Sequence, residues 1–394
     1  MATMFLLIIY LAFISLGLPD SILGAAWPIM RTDLNAPLSA AGLVSMIVSA
    51  STIVSSLNSS RLLRRFGTGM VSFLSTLLTA AALLGFSFSG SILFLLVLAV
   101  PLGLGAGAID AGLNNYVALH YQACHMNWLH CFWGIGATLG PAIMSAFLHS
   151  ENWRGGYRTI AGLQFLLVLI LLAALPAWRK HEQSEQASQG EESTARDISI
   201  RQLLSLRGAK PAMAAFFFYC ASEITLGLWG SSFLVEVRGI PAAQAALWVS
   251  VYYGGITVGR GIAGFVSMKL TNRQLIRAGQ LISLAGAVLL LLPLPKPVSC
   301  AALLLIGMGY APIYPAMLHE TPVRFGRANS QQLMGLQMAL AYTGSTLAPS
   351  LIGAAAGLTS IVILPFFLAG ASFVMLLCCE RVNRLLAAGK MGGQ

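Results

Sequence analysis

The chain has 394 residues, of which 57% are hydrophobic and only 9% are charged, and its formal net charge is +10. Because soluble domains carry about 25% charged residues, this composition excludes an ordinary soluble enzyme. The basic residues are distributed over short loops, which argues against a nucleic-acid surface. No phosphate-binding loop of ATP-driven pumps and no metal-ligand spacing occurs in the sequence. We therefore expect neither enzymatic activity nor a cofactor.

Apolar stretches long enough to cross a membrane recur from one end of the chain to the other. About 20 apolar residues in a helix cross the roughly 30 Å of hydrocarbon in a bilayer. This criterion predicts an all-α membrane protein with twelve transmembrane helices embedded in a lipid bilayer. The predicted spans are approximately 3–26, 39–60, 69–88, 92–119, 127–149, 158–178, 211–235, 242–266, 274–293, 298–318, 329–357 and 359–379.

The basic residues and one polar stretch set the expected topology. With the N-terminus inside, most lysines and arginines fall on inner loops, which is the positive-inside bias. The first apolar segment lacks a basic n-region and is interpreted as a retained span. Residues 179–210 are too polar to fold alone. We predict a monomer with both termini in the cytoplasm, an N-terminal six-helix bundle at 1–178, a cytoplasmic linker at 179–210 and a C-terminal six-helix bundle at 211–394.

The two predicted halves repeat each other at nearly constant offsets. Six spans in each half would give the repeats the same orientation across the membrane. The matching positions are Asp20 and Glu223, Gly103 to Gly105 and Gly307 to Gly309, Asp110 and Tyr314, Gly136 to Pro141 and Gly344 to Pro349, and Arg65 and Lys269. Parallel repeats of this kind resemble the plan of major facilitator transporters, which hold substrate at the midplane between the halves.

Three acidic residues lie inside predicted spans, namely Asp20, Asp110 and Glu223. An ionisable group in hydrocarbon is costly and usually faces a cavity or a partner. Burial favours the neutral form of a carboxyl group, so such a group can load and release a proton. We predict that Asp110 and Glu223 couple protons and that Asp20 binds substrate. A structural hydrogen bond to Asn114, one turn along the helix, is the alternative for Asp110.

Amides and aromatic rings are frequent on the same predicted spans. Sugars combine hydroxyl groups with apolar faces, so a mixture of amides, carboxylates and aromatic rings favours a small, polar, uncharged substrate. His130 is open to three interpretations: a proton relay, a hydroxyl acceptor or a core histidine. The predicted substrate-binding set is Asp20, Trp27, Asn114, His130, Trp133, Tyr219, Trp229, Tyr314 and Gln337.

Three basic residues are candidates for gating. Arg65 and Lys269 follow the second and eighth predicted spans at matching places in the two halves. Arg260 lies about two turns inside the eighth span. It could hold an inner gate by ion pairing, or its side chain could extend to the membrane surface.

The whole chain resembles the major facilitator superfamily, and several stretches resemble its fucose:proton symporter family. In that family an acid in span one and another in span four are essential, and the matching positions here are Asp20 and Asp110. At the span-four position this chain has an aspartate, Asp110, where the fucose carrier has a glutamate. The stretches that carry the resemblance are Leu18 to Asp20, Gly107 to Asn114, Leu129 to Gly136 and Tyr219 to Glu223.

Two departures from the superfamily's motifs bear on mechanism. Between spans two and three, Arg65 and Gly67 fit the signature, but Ser60 and Arg64 replace its Gly and Asp, so the charge relay of that Asp is not carried over. The stretch from Gly136 to Pro141 is similar to the core of a span-five motif of drug:proton antiporters, but the trailing Gly-Gly of that motif is missing.

We predict a sugar:proton symporter of a bacterial inner membrane that works by alternating access. The alternatives are a proton-coupled exporter of drugs or metabolites and a receptor that moves nothing.

Overall fold

A computed structural model of the chain describes residues 2–120, 123–186, 200–267 and 269–391, except for some side chains within them, Ser60 and Arg64 included. These residues form fourteen helices and no strand. The helices are α1 (Ala2–Asp20), α2 (Ile22–Asp33), α3 (Ala40–Phe86), α4 (Ile92–His120), α5 (Ala123–Leu148), α6 (Trp153–Gln186), α7 (Ile200–Ser205), α8 (Ala209–Glu236), α9 (Ala242–Val266), α10 (Asn272–Leu291), α11 (Lys296–Tyr310), α12 (Ile313–Phe325), α13 (Arg327–Leu358) and α14 (Ile363–Met391).

The chain divides into two compact units. Unit 1 contains Met1–Ser193 and Ile240–Ser250, and unit 2 contains Thr194–Gly239 and Val251–Gln394. In unit 1 the most extensive helix pairings are α3 with α4, α1 with α5 and α3 with α6. In unit 2 they are α8 with α13, α10 with α11 and α8 with α14. The equivalence of α1–α5 and α8–α13 agrees with the repeat that matches Asp20 to Glu223.

Two of the predicted spans are each built from a pair of helices. The first span breaks at Ser21, between α1 and α2, and together they form one apolar segment from Phe5 to Asp33. Pro19 lies just before the break and has no amide hydrogen to donate to the preceding turn. The tenth span breaks between α11 and α12, where Pro312 precedes α12.

A kink at Gly67 divides α3 into the second and third predicted spans. Gly67 has φ of 77° and ψ of 162°, a backbone conformation that favours glycine. We count α3 as two segments, count the α1–α2 and α11–α12 pairs as one each, and leave out the six-residue α7. The described residues then contain twelve membrane-length segments. Nine of the segments described are apolar enough to be recognised as spans by length and composition alone.

Helical structure extends beyond several predicted boundaries. The sixth span was predicted at 158–178, but α6 covers Trp153–Gln186, and the twelfth was predicted at 359–379, but α14 covers Ile363–Met391. An existing helix extends at little cost because each added residue adds one hydrogen bond.

Residues 187–199 of the predicted linker lie outside the described residues. The linker's α7 buries Leu203 in a cluster with Val382, so part of this segment contributes to the core of unit 2.

Candidate functional site

Asp20 lies at the end of α1, immediately before the break in the first span, and its side chain is exposed. The indole Nε1 of Trp133 on α5 donates a hydrogen bond of 2.8 Å to Asp20 Oδ2. On the other side of the break, the Ser21 hydroxyl donates to the Ala137 carbonyl oxygen at 2.8 Å. The helix break that carries the acid is therefore fixed to α5 at two points.

Asp110 lies near the middle of α4, and its side chain is half-buried. Asn114 Nδ2 donates to Asp110 Oδ1 at 2.9 Å and to the Asp110 carbonyl oxygen at 3.0 Å. The structural bond considered from the sequence is therefore present. Asp110 is also within electrostatic range of Asp20, where its effect is smaller than those of burial and of the Trp133 hydrogen bond. Unit 1 thus contains two acids that interact and that each accept a hydrogen bond.

His130 lies three residues before Trp133 on α5, so the two side chains share one side of the helix. His130 is exposed, and the centroid of its ring is 6.2 Å from that of Phe13 on α1 in an edge-on arrangement. This places a polar ring on the α1–α5 surface that carries Asp20. Of the residues predicted to bind substrate, unit 1 brings together Asp20, Trp133 and His130.

In unit 2 the acid of the repeat is paired with a base. Glu223 Oε1 on α8 lies 3.6 Å from Arg260 Nη2 on α9, and both side chains are largely buried. The Tyr219 hydroxyl is within electrostatic range of both groups, and the Tyr252 hydroxyl donates to the Glu223 carbonyl oxygen at 3.1 Å. Neither Glu223 Oε1 nor the Tyr219 hydroxyl has a hydrogen-bond partner of good geometry among the described residues.

An aromatic cluster surrounds this buried pair. The ring of Tyr219 lies 5.6 Å from that of Tyr314 and 5.7 Å from that of Tyr310, measured between centroids. Tyr314 is half-buried, whereas Tyr219 and Tyr310 are fully buried. The structure therefore brings together Tyr219, Tyr314 and Glu223. It also pairs Arg260 with the Glu223 carboxylate, and the role of Arg260 in gating stays a prediction.

Three residues predicted to bind substrate are instead parts of the core. Trp27 and Trp229 are completely buried, and their indole nitrogens donate to the carbonyl oxygens of Leu38 and Pro349 at 3.0 and 2.8 Å. Gln337 is also buried, and its Oε1 accepts from the Thr321 hydroxyl at 2.9 Å. A polar atom of each is bonded within its own unit, so packing accounts for these side chains in this conformation, and their roles in substrate binding stay predictions.

The two remaining gating candidates are exposed. Arg65 lies next to the Gly67 kink, with its guanidinium 5.4 Å from the centroid of the Phe66 ring. Lys269 lies in the turn between α9 and α10. Both occupy helix connections, as predicted, and their roles in gating stay predictions.

Sequence reasoning missed the hydrogen bond between Trp133 and Asp20. It had assigned the Trp133 ring to sugar stacking, because an indole has an apolar face. The pairing joins positions far apart in the chain, and no local pattern marks it. The glycines of α1 and α5 are the one signal that could have indicated it. They allow the two backbones to approach closely, as Gly17 does against the Trp133 carbonyl group.

Replacing Asp20 with Asn is expected to weaken substrate binding without disturbing the fold. The amide oxygen of Asn can still accept from Trp133, but the charge is lost. Losing a charged hydrogen bond to a substrate hydroxyl lowers affinity by about tenfold to a hundredfold. Tryptophan quenching by substrate or calorimetry would measure this loss. Trp128→Phe is the control variant, because it changes an exposed indole on α5, the helix that carries Trp133, and leaves Asp20 unchanged. Unchanged affinity in Asp20→Asn would remove Asp20 from substrate binding.

The sequence of the chain matches a known protein family. The model of the Major Facilitator Superfamily matches residues 9–349, which is most of the chain. The chain belongs to the Major Facilitator Superfamily. The prediction of the fold, twelve transmembrane helices in two six-helix repeats, is thereby confirmed. The members similar to this chain in sequence and structure are transporters and not enzymes.

Similarity to individual members of the superfamily is low. The chain is 24% identical to bypass of stop codon protein 6 of Saccharomyces cerevisiae over 66% of its own length and 56% of that protein's. It is 25% identical to the glucose/mannose transporter GlcP of Bacillus subtilis over 57% of its length and 56% of that protein's. It is 24% identical to sodium-dependent glucose transporter 1A of Mus musculus over 72% of its own length and 73% of that protein's. The chain thus matches little more than half the length of the first two.

Solved structures of the superfamily share the fold. The crystal structure of a point mutant of the nucleoside transporter NupG superposes with a TM-score of 0.75 at 12% identity. The alignment covers 95% of this chain and 98% of that one. At this level of identity the similarity concerns the fold alone.

Proposed function

We propose that this member of the superfamily is a proton-coupled secondary transporter, and specifically a sugar:proton symporter that works by alternating access. The observation that carries the proposal is the pair of acids in membrane-spanning segments of unit 1, each of which accepts a hydrogen bond. Asp20 lies exposed at a helix break with its carboxylate held by Trp133, and Asp110 lies within electrostatic range of it. An acid at membrane depth is costly to retain, and two that interact are suited to ion coupling.

Each acid has a proposed role that follows from its surroundings. Asp20 is exposed, so its carboxylate can accept hydrogen bonds from sugar hydroxyls beside His130 and Trp133. Asp110 is half-buried, and we assign the coupling proton to it. Protonation of Asp110 would remove a negative charge near Asp20. This would change the affinity of the protein for substrate at Asp20. Such differential affinity is what allows proton and substrate together to shift the population of transport states.

Glu223 is proposed as a second proton site in unit 2. Its carboxylate is largely buried and lies 3.6 Å from Arg260, which is long for a close ion pair. A loose pair allows Glu223 to be neutral for part of the cycle and to donate a hydrogen bond. In this proposal Arg260 compensates the charge of Glu223 when the proton has left, and Arg65 and Lys269 act at the inner gate.

The identity of the substrate rests on the residues and on the relatives together. Carboxylate, imidazole and indole groups on the α1–α5 surface suit a polyhydroxyl compound. Relatives in a bacterium and in a mammal carry the names of glucose transporters. We further propose that the protein is a monomer in the inner membrane of a bacterium. The positive-inside bias supports a cytoplasmic position for both termini.

Uptake by proteoliposomes tests the proposal. Purified protein would be reconstituted and offered a panel of labelled sugars, with an imposed proton gradient, an imposed sodium gradient, or neither. We expect one or a few sugars to accumulate only with the inward proton gradient. Accumulation driven by sodium alone would overturn proton coupling, and no uptake of any sugar under any gradient would overturn the substrate class.

An exporter is the second candidate, favoured by the stretch from Gly136 to Pro141 on α5. Its glycines lie against α1, so the segment is part of the surface that carries Asp20. The same liposomes distinguish the two directions. An exporter would take up substrate when the interior is acidic, because protons would leave as substrate enters.

A further inference from the structure

A cluster of basic residues lies where α10 begins and α14 approaches its end. Arg277 Nη2 lies 2.6 Å from Glu380 Oε2, and Arg273 Nη2 lies 3.8 Å from the same oxygen. Arg273 and Arg277 are one turn apart on α10, so they share a face of that helix. The contacts with Glu380 place this face beside the face of α14 that carries Glu380.

The cluster has more positive charge than its acid can neutralise. Arg381 and Arg384 follow Glu380 on α14, and both are exposed. The side chains of Arg273 and Arg277 are 54% and 50% exposed although they contact Glu380. Two arginines therefore contact one carboxylate and two more follow it along α14, and the positive end of the α10 dipole adds to their field.

The same faces continue into exposed apolar side chains. On α10, Leu281 follows Arg277 by one turn and is 50% exposed. On α14, Phe373 and Leu377 precede Glu380 by two turns and one turn, and they are 51% and 53% exposed. An arginine cluster thus lies at the end of an apolar surface formed by two membrane-spanning helices.

We propose that this two-helix surface is a binding site for a phospholipid with an anionic headgroup. The headgroup phosphate would contact the arginines, and an acyl chain would lie along Leu281, Leu377 and Phe373. Basic residues next to a span attract anionic lipids, and the apolar surface distinguishes a lipid from a soluble phosphate. The expected consequence is that anionic lipid stabilises unit 2 and holds α10 against α14.

Native mass spectrometry of the full chain in detergent tests this site. The protein would be exposed to equal amounts of phosphatidylglycerol and phosphatidylcholine, and we expect it to retain phosphatidylglycerol preferentially. Arg381→Gln combined with Arg384→Gln leaves the two contacts of Glu380 in place. It should lower the affinity for phosphatidylglycerol by roughly tenfold to thirtyfold. Glu380→Gln removes the competing carboxylate and should raise that affinity.

The control removes the same charge elsewhere. Arg61→Gln combined with Arg158→Gln changes two exposed arginines of unit 1 and should leave the preference unchanged. Thermal unfolding in phosphatidylcholine would confirm that each variant is folded. Equal retention of the two lipids by the wild type would overturn the proposal, as would an unchanged preference in the Arg381/Arg384 variant. Displacement of the lipid by an equal concentration of inorganic phosphate would also overturn it and identify a simple anion site.

Discussion

Replacing Asp110 with Asn is expected to abolish accumulation of substrate against its gradient while leaving exchange of substrate across the membrane. Asn has nearly the same shape as Asp and can still accept a hydrogen bond from Asn114. It cannot release or take up a proton, so the imposed gradient no longer drives transport. In proteoliposomes, gradient-driven uptake should fall to the level without a gradient, and exchange of labelled for unlabelled substrate should persist.

Asn114→Ala is the matched variant that separates coupling from structure. It removes the side-chain donor to Asp110 Oδ1, which lies 2.9 Å away, and leaves the carboxyl group in place. If Asp110 carries the coupling proton, uptake by Asn114→Ala should still be driven by the proton gradient, with a changed pH dependence, even if loss of a predicted substrate contact raises the substrate concentration that is needed. If Asp110 serves only to bind Asn114, Asp110→Asn and Asn114→Ala should lose gradient-driven accumulation to the same degree. Full accumulation by Asp110→Asn would remove this residue from the mechanism.

The architecture could be predicted from the sequence because bilayer thickness imposes it on every span. A helix needs about 20 apolar residues to cross the membrane, so spans are visible in composition alone. The acids could be identified for the same reason, since Asp20, Asp110 and Glu223 are exceptions to an apolar background. The repeat added the equivalence of Asp20 and Glu223, which the pairing of α1 with α5 and of α8 with α13 reproduces.

The orientation of aromatic side chains could not be predicted in this way. Trp27 was expected beside Asp20 because the two are close in sequence. The break at Ser21 lies between them, and Trp27 belongs to α2, where its indole bonds to the Leu38 carbonyl oxygen. Trp133 reaches Asp20 from another helix, and Arg260 reaches Glu223 in the same way. Such pairings depend on how helices pack, which a single sequence does not specify.

Replacing Gly136 with Ala is expected to prevent normal packing of α1 against α5 and to reduce strongly the yield of folded protein. A Cβ atom at Gly136 would lie 2.0 Å from the Ile14 carbonyl oxygen and 3.0 Å from the Leu18 amide nitrogen. Both neighbours are backbone atoms, so no rotation of a side chain can relieve the overlap. Overpacking costs typically about 1–3 kcal/mol, and a clash with backbone is expected at or above the upper end of that range.

The repeat supplies a second test of the same packing rule in unit 2. Gly344 on α13 is the counterpart of Gly136, and a Cβ atom there would lie 2.4 Å from the Phe217 carbonyl oxygen on α8. Gly344→Ala should therefore reduce folding as Gly136→Ala does. Gly162→Ala on α6 is the control, because a Cβ atom at Gly162 would meet nothing within 4 Å.

Size-exclusion chromatography of detergent-solubilised protein, followed by thermal unfolding, would compare the three variants. We expect Gly162→Ala to match the wild type, and the other two to give little monodisperse protein and a lowered unfolding temperature. Any Gly136→Ala protein that does fold should also bind substrate weakly, because separation of α1 from α5 breaks the hydrogen bond between Trp133 and Asp20. Wild-type yield and stability for Gly136→Ala would show that the backbones of α1 and α5 are not in contact. The proposal that α5 holds Asp20 in place would then be wrong.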